Sequence, residues 1–123
     1  MPFPYLHPKM DNAGPSWTWL SGSPGGVAPG TVVLDTGQLS SGAYEALVMW
    51  VPFAGLTSLV LEHRNAANTV TLRFIPGANS PTVCEDKWIV MPRYTLNTNE
   101  RLRVTIITAA NPSLYTLFYR KVA

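Results

Sequence analysis

Between Leu56 and Ile75 the chain reads LTSLVLEHRNAANTVTLRFI, and the second half of that stretch alternates strictly. Val70, Leu72 and Phe74 fall on one side and Thr69, Thr71 and Arg73 on the other, the period of a half-buried β-strand. Leu59 to Arg64 supplies a second strand, and the small polar run Asn65-Ala66-Ala67-Asn68 between them predicts a turn, so the two form a hairpin. Tyr44 to Val51 is patterned differently. Tyr44, Ala46, Val48 and Trp50 on one side and Leu47, Met49 and Val51 on the other are mostly apolar on both counts. Such a strand is either central and covered on both faces or paired to a partner on its second face. Pro52 ends it, because proline cannot donate to a ladder.

Shorter strands follow at Thr31 to Asp35, Thr82 to Cys84, Trp88 to Met91 (broken at Pro92) and Leu114 to Val122. From Glu100 to Thr108, alternation places Leu102, Val104 and Ile106 inside and Arg101, Arg103 and Thr105 outside. Gly, Ser, Asn and Pro mark the intervals, as at Thr36 to Gly42, Pro76 to Pro81, Asn97-Thr98-Asn99 and Asn111-Pro112-Ser113. About seven to eight short strands at intervals near ten residues predict an all-β fold, an antiparallel β-sandwich or jelly-roll-like fold, with a small barrel as the other arrangement of that spacing.

Residues 1–30 break this pattern. Six of the eleven prolines fall there, with glycines among them, so neither a helix nor a central strand persists and the stretch reads as an extended N-terminal arm ahead of a sandwich domain at 31–123. The arm nevertheless carries Phe3, Tyr5, Leu6, Trp17, Trp19 and Leu20, large apolar groups that a solvated linker has little reason to hold. Those six residues are the candidate interface. They either cover the arm's own sandwich or reach a neighbouring subunit.

Composition sharpens this picture. A chain of 123 residues is the size of one domain. Hydrophobic residues make up 46%, but charged residues only 13%, against about 25% in ordinary soluble domains. Either Thr, Ser and Asn form the exterior, or part of that exterior is covered by other subunits, whose interfaces lose charge at their centres. The net charge of +2 and scattered Lys and Arg lack the basic, aromatic-interleaved stripe of a nucleic-acid binder, so no nucleic-acid partner is expected. The single Cys84 has no internal disulfide partner. The opening MPFPYLHPKMDN lacks the continuous apolar core of a signal peptide, and no run reaches the length of a membrane-spanning helix. Folding in a cytoplasm, without a membrane partner, is the expectation.

Candidate chemistry is sparse. In Glu62-His63-Arg64, alternation points His63 with Leu59 and Leu61 and turns Glu62 and Arg64 to the opposite face, which separates acid from imidazole. Glu62, Arg64 and Arg73 are expected to meet across the hairpin, and His63 to settle on a backbone carbonyl. Cys84 has acids Glu85 and Asp86 beside it, which disfavour a thiolate, and His7 and His63 are far from it in sequence. Close metal-ligand spacing, phosphate loops, nucleophile elbows and dinucleotide fingerprints are absent from the sequence, and Asp35 with Glu45 would form a glycosidase-like pair only by coincidence. No cofactor or metal is expected, and an enzyme is the least favoured class. Trp17 and Trp19 are the better candidates for stacking on a sugar ring, whereas Trp50 and Trp88 lie in strands.

The run LVLEHRNAANTVTLRF at Leu59 to Phe74, with LSSGAYEALVMW before it and ERLRVTII after it, resembles small β-sandwich accessory proteins of tailed bacteriophage virions. That resemblance implies a non-enzymatic structural protein that self-associates, a trimer among the forms it could take, and attaches to a capsid or other virion protein as a decoration. It implies a virion location after assembly in the host cytoplasm. The alternative is a carbohydrate- or receptor-binding sandwich module.

Overall fold

A computed structural model describes residues 15–22, 28, 30–52, 59–74, 87–107 and 113–123. They form eight strands: β1 (Thr18–Gly22), β2 (Val32–Asp35), β3 (Gly42–Pro52), β4 (Leu59–Arg64), β5 (Val70–Phe74), β6 (Lys87–Leu96), β7 (Arg101–Ile106) and β8 (Ser113–Lys121). Every pairing is antiparallel, in two four-stranded sheets ordered β1-β8-β3-β6 and β2-β7-β4-β5. The pairs β1 with β8, β2 with β7, β3 with β6 and β4 with β5 join strands from opposite ends of the chain toward its middle. The all-β sandwich expected from the alternation is therefore present.

The core lies between the sheets, where the inward sets of the strands meet. Tyr44, Ala46, Val48 and Trp50 of β3, Tyr115 and Leu117 of β8, and Ile89 and Met91 of β6 face Leu59 and Leu61 of β4 and Leu102, Val104 and Ile106 of β7. Since β3 runs between β6 and β8, it is the central strand that its double apolar pattern requires. The β4–β5 hairpin turns where its sequence says it should. Asn68 adopts a φ of 64°, tolerable for Asn, and the Asn65 side chain accepts a hydrogen bond from the Thr69 amide at 3.0 Å. Asn99, with φ 66°, does the same service between β6 and β7.

Two expectations need correction. Thr18–Gly22, read as arm, is a sandwich strand: TWLSG holds no proline, and as an edge strand β1 needs only β8 as neighbour. Strand β6 does not break at Pro92 but continues to Leu96. It too is an edge strand, and the register of β3 and β6 slips between Tyr44 and Ala46, beside Pro92, so the missing N–H is accommodated at a bulge. Leu72, on the same side of its strand as Phe74, is 42% exposed, since β5 is the last strand of its sheet among the described residues. The expected strand at Thr82 to Cys84 lies outside the described residues.

Candidate functional site

Strand β3 has a second apolar face, and it points away from the core. On that outer face Leu47 and Phe118, opposite one another in register, are fully buried, with Trp17, Met49 and Val90 packed around them. Trp19 in β1 sets its ring edge-on to Phe118, centroids 6.1 Å apart, and remains 44% exposed. Arg120 fastens the cluster's rim. Its Nε and Nη2 donate to Glu45 Oε1 at 3.0 and 2.9 Å, its Nη1 donates to the Pro15 carbonyl at 3.1 Å, and its guanidinium lies 4.3 Å from the Trp17 ring centroid. Residues 15–17 therefore cross the outer face of the β1-β8-β3-β6 sheet.

Of the six candidate interface residues, three are described. Trp17 is half-buried in the outer cluster, Trp19 is partly exposed beside it, and Leu20 turns inward against the main core. Phe3, Tyr5 and Leu6 lie outside the described residues, as do His7 and Cys84. The sequence reading missed Leu47 and Phe118, although the double apolar pattern of β3 was the available signal.

The other sheet is decorated quite differently. Across β2, β7, β4 and β5 the residues Asp35, Arg103, Glu62 and Arg73 stand in one register row. Arg101 and Arg64 pair two register positions further along β7 and β4, on the same face. Glu62 is buried and accepts from Arg64 Nε at 3.0 Å, Thr105 Oγ1 at 3.1 Å and Arg73 Nε at 3.4 Å, the cross-hairpin arrangement that alternation predicts. Asp35 takes Arg101 and Arg103, each at 3.3 Å. Glu45 bonds Arg120 on the opposite sheet, so Asp35 and Glu45 do not converge. A cavity of about 360 Å³ opens on this face between Gly30, Val60, Glu62, Arg73 and Ile107.

His63 lies inward, as expected, but its partners are side chains rather than the expected carbonyl. Nε2 stands 2.9 Å from Glu100 Oε1, and Nδ1 stands 2.9 Å from the Tyr94 hydroxyl and 2.6 Å from Thr71 Oγ1. Burial by itself would raise the Glu100 carboxyl, but the Asn97 amide donating to it at 2.7 Å and His63 beside it outweigh that and hold it below its ordinary range. The network joins β4 and β5 to β6 of the facing sheet. Among the described residues no three His, Cys, Asp or Glu side chains gather as metal ligands.

Compared with known proteins, the chain matches no family model, no curated protein and no solved structure.

Proposed function

We propose that the chain is a non-enzymatic structural protein that self-associates and attaches to a larger assembly, as a capsid decoration or other accessory protein of a bacteriophage virion. The observation that carries this reading is the outer face of the β1-β8-β3-β6 sheet. Leu47, Met49, Val90 and Phe118 form a second apolar cluster outside the main core, and the indole of Trp19 reaches solvent at its border. Leu47 and Phe118 are covered by the chain's own Trp17, so the surface left for a neighbour is the apolar border of this cluster, where the Trp19 ring is 44% exposed. The strand order supports the finer reading of the fold as a jelly roll, eight strands folded as one long hairpin rolled into two sheets. That architecture recurs in viral capsid domains and in lectins.

The mechanism is burial. At roughly 25 cal/mol per Å², a few docked aromatic side chains contribute several kcal/mol before the cost of ordering the arm, and symmetric repetition multiplies weak contacts. The test is the solution mass by light scattering, for the whole chain and for a chain lacking residues 1–14, a deletion that leaves β1 intact. An oligomer that dissociates on truncation, while the sandwich still melts cooperatively, is the expected result. A monomer at all concentrations overturns self-association.

The exposed Trp19 ring favours a second reading, a carbohydrate- or receptor-binding module. Binding on a glycan array that is lost in Trp19→Ala, by a monomeric protein, would select it.

A further inference from the structure

The two flanks of the sandwich are unlike in charge. On one flank β1 packs beside β2, and on the other β6 packs beside β5. The strands β1 and β2 carry a single charged residue, Asp35, whereas the described side chains of β5 and β6 include Arg73 and Arg93. The Asp35 side chain is 30% exposed and that of Arg73 is 61% exposed. Between them the register row runs Asp35, Arg103, Glu62, Arg73, alternating acid and base from one edge of the sheet to the other.

A row of that kind ends in an acid at one edge and a base at the other. It can therefore be continued by another copy of itself, but only head to tail. Strand direction agrees with this. An antiparallel sheet of four strands begins and ends on strands of opposite direction, so a copy turned about an axis along the strands would set its β2 antiparallel to β5. A two-fold arrangement of like flanks would instead oppose Arg73 and Arg93 to themselves, and like-charge contacts are what interfaces exclude. The edge of β5 also bears the exposed Leu72, an apolar group on a strand paired, among the described residues, on one side, the feature that edge strands ordinarily avoid.

We infer that the subunits associate head to tail, the β5/β6 flank of one copy packing against the β1/β2 flank of the next, with Arg73 reaching the neighbour's Asp35 and Leu72 covered between them. This rests on the self-association reading and adds a lateral contact to the one that the arm and the outer face make. Contacts of this heterologous kind close into rings when the rotation allows. The ion pair sets orientation and register, and the covered apolar edge supplies affinity.

The test blocks one flank at a time. Leu72→Glu puts a charge into the apolar part of the contact, in the register row beside that of Arg73, and Ser21→Arg, at an exposed position of β1, opposes the basic flank. Each variant alone is expected to be monomeric or strongly dissociated. Mixed in equal amounts, they are expected to form a one-to-one dimer and stop there, because each retains the flank that the other lacks. Two variants that stay monomeric on mixing, or that assemble like the unaltered chain, overturn the head-to-tail contact while leaving self-association standing. An unaltered chain that is itself monomeric overturns both. Should either variant misfold, Asp35→Asn and Arg73→Gln read the same contact. Each should raise the dissociation constant by roughly two- to fivefold, the effect of one surface ion pair, with the double variant no weaker than the singles. Additive losses would overturn the pairing.

Discussion

The Nε2 atom of His63 stands 2.9 Å from Glu100 Oε1, and this contact ties β4 of one sheet to the turn that leads out of β6 in the other. With Glu100 ionised its carboxylate can only accept, so the imidazole donates through Nε2 and presents Nδ1 to Tyr94 and Thr71. Four elements of the sandwich thus meet at one histidine.

Acid should loosen this junction. Glu100 is held below its ordinary value of 4.5, so its ionised form favours the folded state. For a carboxyl depressed in the folded chain, that stability is fully present above the unfolded value and is lost as pH falls through and below 4.5. Urea unfolding at steps from pH 7 to pH 3 should show a decline that Glu100→Gln flattens. At neutral pH the same variant should cost about 1–3 kcal/mol, because the hydrogen bonds of a buried charged acceptor are weakened. An unchanged acid limb in the variant would remove Glu100 from the explanation.

The Tyr115 hydroxyl is a defect of the opposite kind. It is buried in the main core with no hydrogen-bond partner among the described residues, as is Trp50 Nε1, and the two residues are opposite in register on β8 and β3. A buried polar group without a partner costs about 1–3 kcal/mol. Tyr115→Phe removes the hydroxyl and keeps the ring, so the melting temperature should rise or hold. A clear fall would mean that the hydroxyl is satisfied by ordered water.

What the sequence made legible depended on distance along the chain. The β4–β5 hairpin, its turn and the inward set of β7 follow from neighbours a few residues apart, and alternation reports those directly. Whether a strand is central or at an edge depends instead on partners far away. That is why Pro92 looked like a break and TWLSG like an arm. The charged row was hidden for the same reason, since Asp35 and Arg101 are 66 residues apart. Trp17 and Trp19 stood out by size in a proline-broken stretch, but Leu47 and Phe118 beneath them become a surface cluster only once β8 lies against β3.

Gly42 begins β3 at a φ of 151°, a conformation that side chains rarely adopt. A Cβ there would also meet the Ala123 carbonyl oxygen at 2.5 Å and crowd the Lys121 side chain. The strand end it would push aside is the one that Ala43 holds, donating to Ala123 at 3.1 Å and accepting from Val122 at 2.7 Å. Gly42→Ala should therefore destabilise the fold by about 1–3 kcal/mol, and faster amide exchange at Val122 should locate the damage at the C-terminal end of β8. Stability equal to the unaltered chain would show that residues 121–123 move aside without loss.

Arg120 tests whether the outer cluster is part of the fold as well as a candidate contact surface. Its guanidinium is nearly buried, forks onto Glu45 and lies over the Trp17 ring. A lysine keeps the charge but has neither the planar fork nor the flat face that stacks on an indole. Arg120→Lys should lower stability by about 1–2 kcal/mol through the lost charge-assisted hydrogen bond and stacking. Arg120→Lys combined with Glu45→Gln should cost less than the sum of the two single changes, because both dismantle one contact. Trp17 fluorescence offers an independent reading, since an indole released from the guanidinium becomes more accessible to a soluble quencher. A lysine variant with the same quenching and the same unfolding midpoint would show that residues 15–17 are held on the sheet by the apolar contacts with Leu47 and Phe118 alone.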